Sequence, residues 1–228
     1  GMKTTRARSV EHLVEEQVQR WHLQHSQKKE APRAVTMITV SRECGSGGTR
    51  LAEQLAESLD YAFFDRQVML EIAQSAQISD RLLNSLDEKG LNMVEEWIAA
   101  LVQDRHLWPD QFMRHLMKVI GTIGNNGHAV VVGRGAHFVL PPDQTLRLRV
   151  IASLEKRVAS IAERYNLSNE DARTRVFKTD ADRRAFSRKY FYSDLSDPLR
   201  YDLILNMDQM GVNSAAQAVK GALEQNKA

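Results

Sequence analysis

Cysteine is nearly absent from this 228-residue chain: Cys44 stands alone, so no intrachain disulfide can form. A reducing compartment suits such a chain, and a cytoplasmic home is expected. No apolar run approaches the roughly 20 residues that a membrane-spanning helix needs, so no membrane partner is expected. The charged-then-apolar layout of a signal peptide is missing at the start, and Gly1 before Met2 has the look of a tag scar. Charge of one sign is lacking too. Lys and Arg number 31 against 29 Asp and Glu, a net charge of +2, so bulk electrostatics call for neither nucleic acid nor a membrane surface. Internal repeats and low-complexity tracts are absent. What remains is an ordinary soluble composition, 43% hydrophobic and 26% charged. The length suffices for one core with a small appendage.

Residues 1–33 stand apart as an N-terminal helical extension and linker. SVEHLVEEQVQRWHLQHSQ sets Val10, Leu13, Val14, Val18 and Trp21 on one helical face, and QKKEAPR reads as the linker. The helix is expected to dock on the core or on a second subunit, which makes a homodimer through it one possible arrangement. From residue 34 to 228 short apolar runs alternate with amphipathic segments. The runs AVTMITV (34–40), YAFFD (61–65), AVVVGRG (129–135), LRLRVIAS (146–153) and YDLILNMD (201–208) read as strands, the apolar ones suited to burial on both faces. Helices are expected at 49–59, 154–166, 167–191 and 213–225, the third opened by a cap at Ser168 with Asp171 three residues on. Residues 66–118 read as mostly helical, with breaks near Ser79, Gly90 and Pro109. This alternation implies an α/β fold with a parallel five-stranded sheet covered on both faces.

Ligands of such sheets bind at the carboxyl ends of strands. Three strand ends here carry chemistry: 41–49, Asp65, and Gly133-Arg134-Gly135. The first is Arg42-Glu43-Cys44-Gly45-Ser46-Gly47-Gly48-Thr49. Its glycines let the backbone turn tightly against a phosphate, and the helix that follows aims free N–H groups at the anion. Against the phosphate-loop pattern G-x-x-x-x-G-K-[ST], Gly47 holds the second glycine and Thr49 the hydroxyl that ligates Mg²⁺. Arg42 stands at the first glycine, and Gly48 at the lysine. Gly45, Ser46, Gly47, Gly48 and Thr49 are therefore candidate ATP ligands. Arg42 is the favoured substitute for the lysine charge, unless it pairs with Glu43; Arg50 and lid arginines are the other sources. Cys44, at a helix N-terminus, is either a small filler or a thiol of lowered pKa.

The stretch ITVSRECGSGGTRLAEQLAESLDYAFFD resembles the opening of the cytidylate kinase-like family, within the P-loop nucleoside monophosphate kinases. VVVGRGAHFVL, KTDADRRAFSRKYF and YDLILN are similar to it as well, so the resemblance spans about 35–220. It implies a three-layer α/β/α P-loop domain with a helical acceptor-binding insert at 66–118 and a helical lid at about 173–198. The implied activity is transfer of a phosphoryl group from ATP, with Mg²⁺, to a nucleoside monophosphate, CMP or dCMP. Absence of the loop lysine is implied to be a family trait. Asp65 would support Mg²⁺ or orient the acceptor phosphate, or else simply cap the next helix. Arg134 would hold the acceptor. Gly135 stands where true cytidylate kinases have an aspartate, which leaves the acceptor base open.

The segment 173–189 carries Arg173, Arg175, Lys178, Arg183, Arg184, Arg188 and Lys189 against Asp180 and Asp182. Phosphoryl transfer uses movable arginines that close over the transferring group, and Arg183, Arg184 and Arg188 are the candidates. The rival reading of this stretch, nucleic-acid stacking through Phe186, Tyr190, Phe191 and Tyr192, sits badly with the near-neutral chain. In the insert, Arg105, Arg114 and Lys118 are candidate acceptor contacts, with Trp97, Leu101, Phe112, Leu116 and Val119 expected in the core. Two further alternatives stand: a P-loop kinase for another small acceptor, and a nucleotide-binding sensor without turnover. His128 and His137 are expected to be structural.

Overall fold

The computed structural model describes residues 9–27 and 35–225. Five strands, β1 (Met37–Arg42), β2 (Ala62–Phe64), β3 (Ala129–Val132), β4 (Thr145–Ile151) and β5 (Leu203–Asn206), form one sheet in the order β2-β3-β1-β4-β5. Every pairing is parallel. β1 is buried along its whole length and lies between β3 and β4. The chain leaves β1 for the far edge at β2 and returns to β3. This change of direction opens a crevice at the carboxyl end of the central strand.

Helices cover both faces. On one side α2 (Gly48–Leu59) and α10 (Val212–Gln225) bury Leu51, Leu55, Ala215 and Val219 against Ile38, Val40 and Leu148. On the other lie α1 (Val10–Gln27), α3 (Arg66–Gln74), α4 (Ala76–Leu83), α5 (Glu88–Asp104) and α6 (Gln111–Asn126), whose core includes Trp21, Met69, Leu82, Leu116 and Ile120. A four-residue turn, α7 (Ala136–Val139), follows β3. α8 (Leu154–Tyr165) and α9 (Asn169–Phe191) pack on each other over the loop end of the sheet.

The helical pattern expected over 66–118 extends to Asn126, because Val119, Ile120 and Ile123 continue the buried face of α6 until Gly127 turns at positive φ. Helix breaks fall where polar side chains can cap. Ser75, not Ser79, opens α4 by accepting the Ile78 N–H, and Asp87 accepts the Gly90 N–H inside the first turn of α5. Ser168 accepts the Asp171 N–H at 3.1 Å, as its spacing suggested.

α1 spends its apolar face within the chain. Val14, Val18 and Trp21 are buried, the Trp21 indole N–H donates to the Gly127 carbonyl, and Glu15 takes a two-pronged ion pair from Arg81 on α4. Leu13 is left exposed. Most of the expected linker, from residue 28 to 33, lies outside the described residues.

Candidate active site

The turn after β1 is a glycine loop held from outside. Gly47 sits at φ 88° as the cap of α2, and Gly45 at φ 81°. A side chain at Gly45 would run into the Arg157 carbonyl, so the start of α8 packs directly on the loop. Charged groups complete the clamp. Glu43 accepts the Ala152 N–H at 3.1 Å and pairs with Arg157, whose Nη1 lies 2.7 Å from Asp180 Oδ2. The other Asp180 oxygen accepts the Cys44 N–H at 2.8 Å. Glu43 therefore pairs with Arg157 and not with Arg42. Cys44 is packed among Val158, Ile161, Ala172 and Val176 as a filler.

Two clefts open beside the loop. The larger, about 910 Å³, is lined by residues 42–50, by Lys156, Arg164, Tyr165, Arg175 and Arg183, and by Met207 and Met210 at the end of β5. Gly45, Ser46, Gly47, Gly48 and Thr49 all face it, and its volume falls within the ~300–1,000 Å³ of ordinary small-molecule sites. At its far end the Arg175 guanidinium stacks 3.9 Å over the Tyr165 ring. The smaller cleft, about 230 Å³, is lined by Ser41, Arg42, Arg66, Arg134, His137, Phe138, Asp182, Arg183 and Phe186. A nucleotide-sized ligand would need the helices around it to give way.

Arg42, Arg66 and Arg183 line both clefts, with Arg134 in the smaller one. They form a cluster of guanidinium groups. Arg183 donates to the Arg42 carbonyl at 2.9 Å and stands 3.8 Å from Asp180. Among the described residues, none of Arg42, Arg66 and Arg134 has a carboxylate in ion-pair contact. Burial, then the charges of Arg183, Arg66 and Arg134, lowers Arg42 to about 9. Burial, then Arg66 and Arg183, lowers Arg134 to about 10. Arg183 is lowered as well, first by burial. A set of mutually repelling, half-desolvated cations is a site waiting for a polyanion.

Asp65 caps α3 by accepting the Val68 N–H at 2.8 Å and lines neither cleft, although Arg66 next to it lines both. Neither Arg184 nor Arg188 lines these two clefts. Arg184 lines a side cleft with Arg42 and Glu43 at the start of the loop and with Arg149, Arg157 and Arg183, and Arg188 is exposed. Arg50 is exposed at the mouth of the larger cleft. In the insert, Arg105 stacks 5.0 Å over Phe138, Lys118 pairs with Glu95, and Arg114 is exposed; none of them lines the two clefts. Phe112 is exposed rather than core, whereas Leu116 and Val119 are fully buried. Sequence reasoning missed Arg66 and the Arg157–Asp180 pair, and nothing local marks that pair. The signal available was that Arg66 follows a strand-ending aspartate.

Gly135 has φ 72°, and a Cβ there would run into the Phe191 ring. Phe191 stacks on Phe138 with centroids 4.8 Å apart. The place of an aspartate at 135 is thus filled by the end of α9. His137 is buried beneath this wall, and its Nε2 has no hydrogen-bond partner among the described residues. Burial, then Arg149 and other nearby arginines, lowers it to about 3, so the ring is neutral.

A sequence model of the cytidylate kinase-like family matches residues 37–209. A cytidylate kinase of Natronomonas pharaonis is 26% identical over 188 residues, which cover 82% of this chain and 88% of that protein. A cytidylate kinase of Ignicoccus hospitalis is 22% identical over 190 residues, covering 83% and 99%. Among solved structures, an uncharacterized protein of Eubacterium ventriosum superposes with a TM-score of 0.66 at 20% identity, covering 84% of this chain and 99% of its own. That likeness concerns the fold. No helix among the described residues is long and apolar enough to cross a membrane.

Proposed function

The chain belongs to the cytidylate kinase-like family, and from that premise we propose that it moves the γ-phosphoryl group of ATP to a nucleoside monophosphate. The observation that carries this reading is the junction of the two clefts at Arg42, Arg66 and Arg183. A donor triphosphate fits the larger cleft, with its phosphates against the loop amides and the start of α2. The Arg175–Tyr165 stack offers its base a flat wall. An acceptor phosphate fits the smaller cleft against Arg134. An oxygen of that phosphate attacks the γ-phosphorus while the bond to the β–γ bridging oxygen breaks, leaving ADP and the acceptor as a nucleoside diphosphate. Positioning and charge neutralisation carry most of such a reaction.

Mg²⁺ keeps most of its shell from water and substrate phosphates and takes one or two protein oxygens. Thr49, which lines the larger cleft, would supply one such oxygen; Asp65 lines neither cleft and caps α3 through Oδ1, so it would reach the ion only through water. When bound, the ion would neutralise charge on the phosphates. Arg183 would act on the transferring group.

CMP and dCMP are the first acceptors to test, since the relatives named above are cytidylate kinases. Phe191 in the place of an acid at 135 favours a second reading, a different small acceptor on the same machinery. The test is coupled ADP release from Mg-ATP against a panel of monophosphates, with wild type, Asp65→Ala and Arg134→Ala side by side. Acceptor-dependent release that both substitutions abolish is expected, with CMP or dCMP the best substrate. Turnover of some other acceptor alone selects the second reading. Intact ATP binding without turnover on any acceptor points to a nucleotide sensor and overturns both.

A further inference from the structure

Two departures from the phosphate-loop pattern occur together here: arginine at the first glycine and glycine at the lysine. The fold makes them one event. A Cβ at Gly48 would run into the Arg42 Cβ and stand 3.1 Å from both the Arg42 Cγ and the Val150 Cβ. A lysine at 48 has no room while an arginine occupies 42. From under Gly48 the Arg42 side chain passes the Thr49 hydroxyl, to which its Nε donates at 3.4 Å. It ends near Gly133, where a Cβ would lie 2.9 Å from Nη1. Three glycine or hydroxyl positions thus trace the path of one buried guanidinium group, 9% exposed, between the two clefts.

Resting on the donor-site reading above, we propose that the Arg42 guanidinium replaces the missing loop lysine as the cation on the donor's terminal phosphates, and that Gly48 is glycine to let it through. A buried cation without an acidic partner is costly. Its neighbours here are other arginines, so packing alone gives no reason to keep a charge at this place. A lysine in the usual loop reaches phosphate from one residue before the hydroxyl. Arg42 reaches the same zone from the strand and touches that hydroxyl.

The exchange can be reversed by substitution. Arg42→Gly with Gly48→Lys converts the stretch into a complete G-x-x-x-x-G-K-T loop. Mg-ATP affinity, read by titration calorimetry on the full chain, needs no acceptor. Thermal melts confirm folding of every variant. Arg42→Met keeps the stem but drops the charge, and ATP binding should weaken roughly tenfold to a hundredfold, as for loss of a charge-assisted hydrogen bond. Gly48→Lys alone should be at least as damaging. The double exchange should return to within about tenfold of wild type, whereas Arg42→Gly with Gly48→Met, equal in bulk without charge, should not. The proposal is overturned if folded Arg42→Met binds ATP like wild type, or if the lysine double variant binds no better than the methionine one. A wild-type chain that binds no ATP sinks the donor-site reading, and this proposal with it.

Discussion

Arginines do opposite work on the two sides of the loop. On the outer side Arg157 is sandwiched between Glu43 and Asp180, with side-chain exposures of 12% for Arg157 and Asp180. Its charge is spent on architecture, since it ties the loop to α8 and α9. On the inner side Arg42, Arg66 and Arg134 face one another with no ion-paired acid among the described residues. The pairing of a charge, more than its burial, therefore separates scaffold from site in this molecule.

The largest effect should come from breaking the paired side. Arg157→Ala leaves Glu43 and Asp180 as poorly solvated acids and should cost about 3–5 kcal/mol in urea unfolding. Arg134→Ala removes an uncompensated cation. What it forfeits is mainly the stack 5.0 Å over Phe186, so stability should change by less than about 1 kcal/mol in either direction. Equal losses in the two variants would erase the distinction.

A smaller effect sharpens the comparison within one helix. Arg183 is bonded to the loop and lines both clefts, whereas its neighbour Arg184 lines neither. Arg183→Ala should lower kcat about 100- to 1,000-fold. Arg184→Ala should change it by no more than about twofold. A comparable loss at Arg184 would mean that the side cleft it shares with Arg42 and Glu43 takes part in turnover.

The paired and unpaired sides were not equally legible in the sequence. The strands announced themselves because a parallel sheet buried on both faces needs continuous apolar runs, as in AVTMITV and AVVV. The glycine loop was readable because Gly45 and Gly47 serve local backbone geometry. Arg157 and Asp180 were not, because their partners come from distant segments and a charge in LEKRV or KTDADRR looks like any solvated face. The Arg42–Gly48 exchange was half visible. The missing lysine showed in the pattern, but only the packing of the strand end against the helix start couples the two positions. Phe191 over Gly135 is of the same kind, a long-range contact that no spacing rule contains.

The smallest effect concerns pH, at the apolar wall behind the inner side. His137 sits at about 3 against an ordinary 6.5, held neutral by burial and by Arg149, Arg147, Arg105 and Arg200 around it. Above about pH 6.5 the ring is neutral in the folded and the unfolded chain, and it contributes no pH dependence. Between 6.5 and 3 the unfolded chain takes up a proton that the folded chain refuses, so stability falls as the medium is acidified. The slope from this group is at most about 1.4 kcal/mol per pH unit, or roughly 2 kcal/mol by pH 5. Surface acids add their own slopes to any chain, so the reading is a difference. In urea unfolding from pH 7.5 to 5, His137→Phe should lose less stability on acidification than wild type. Parallel curves would mean that this ring reaches water when protonated, and that the wall behind the arginine cluster opens more readily than its packing implies.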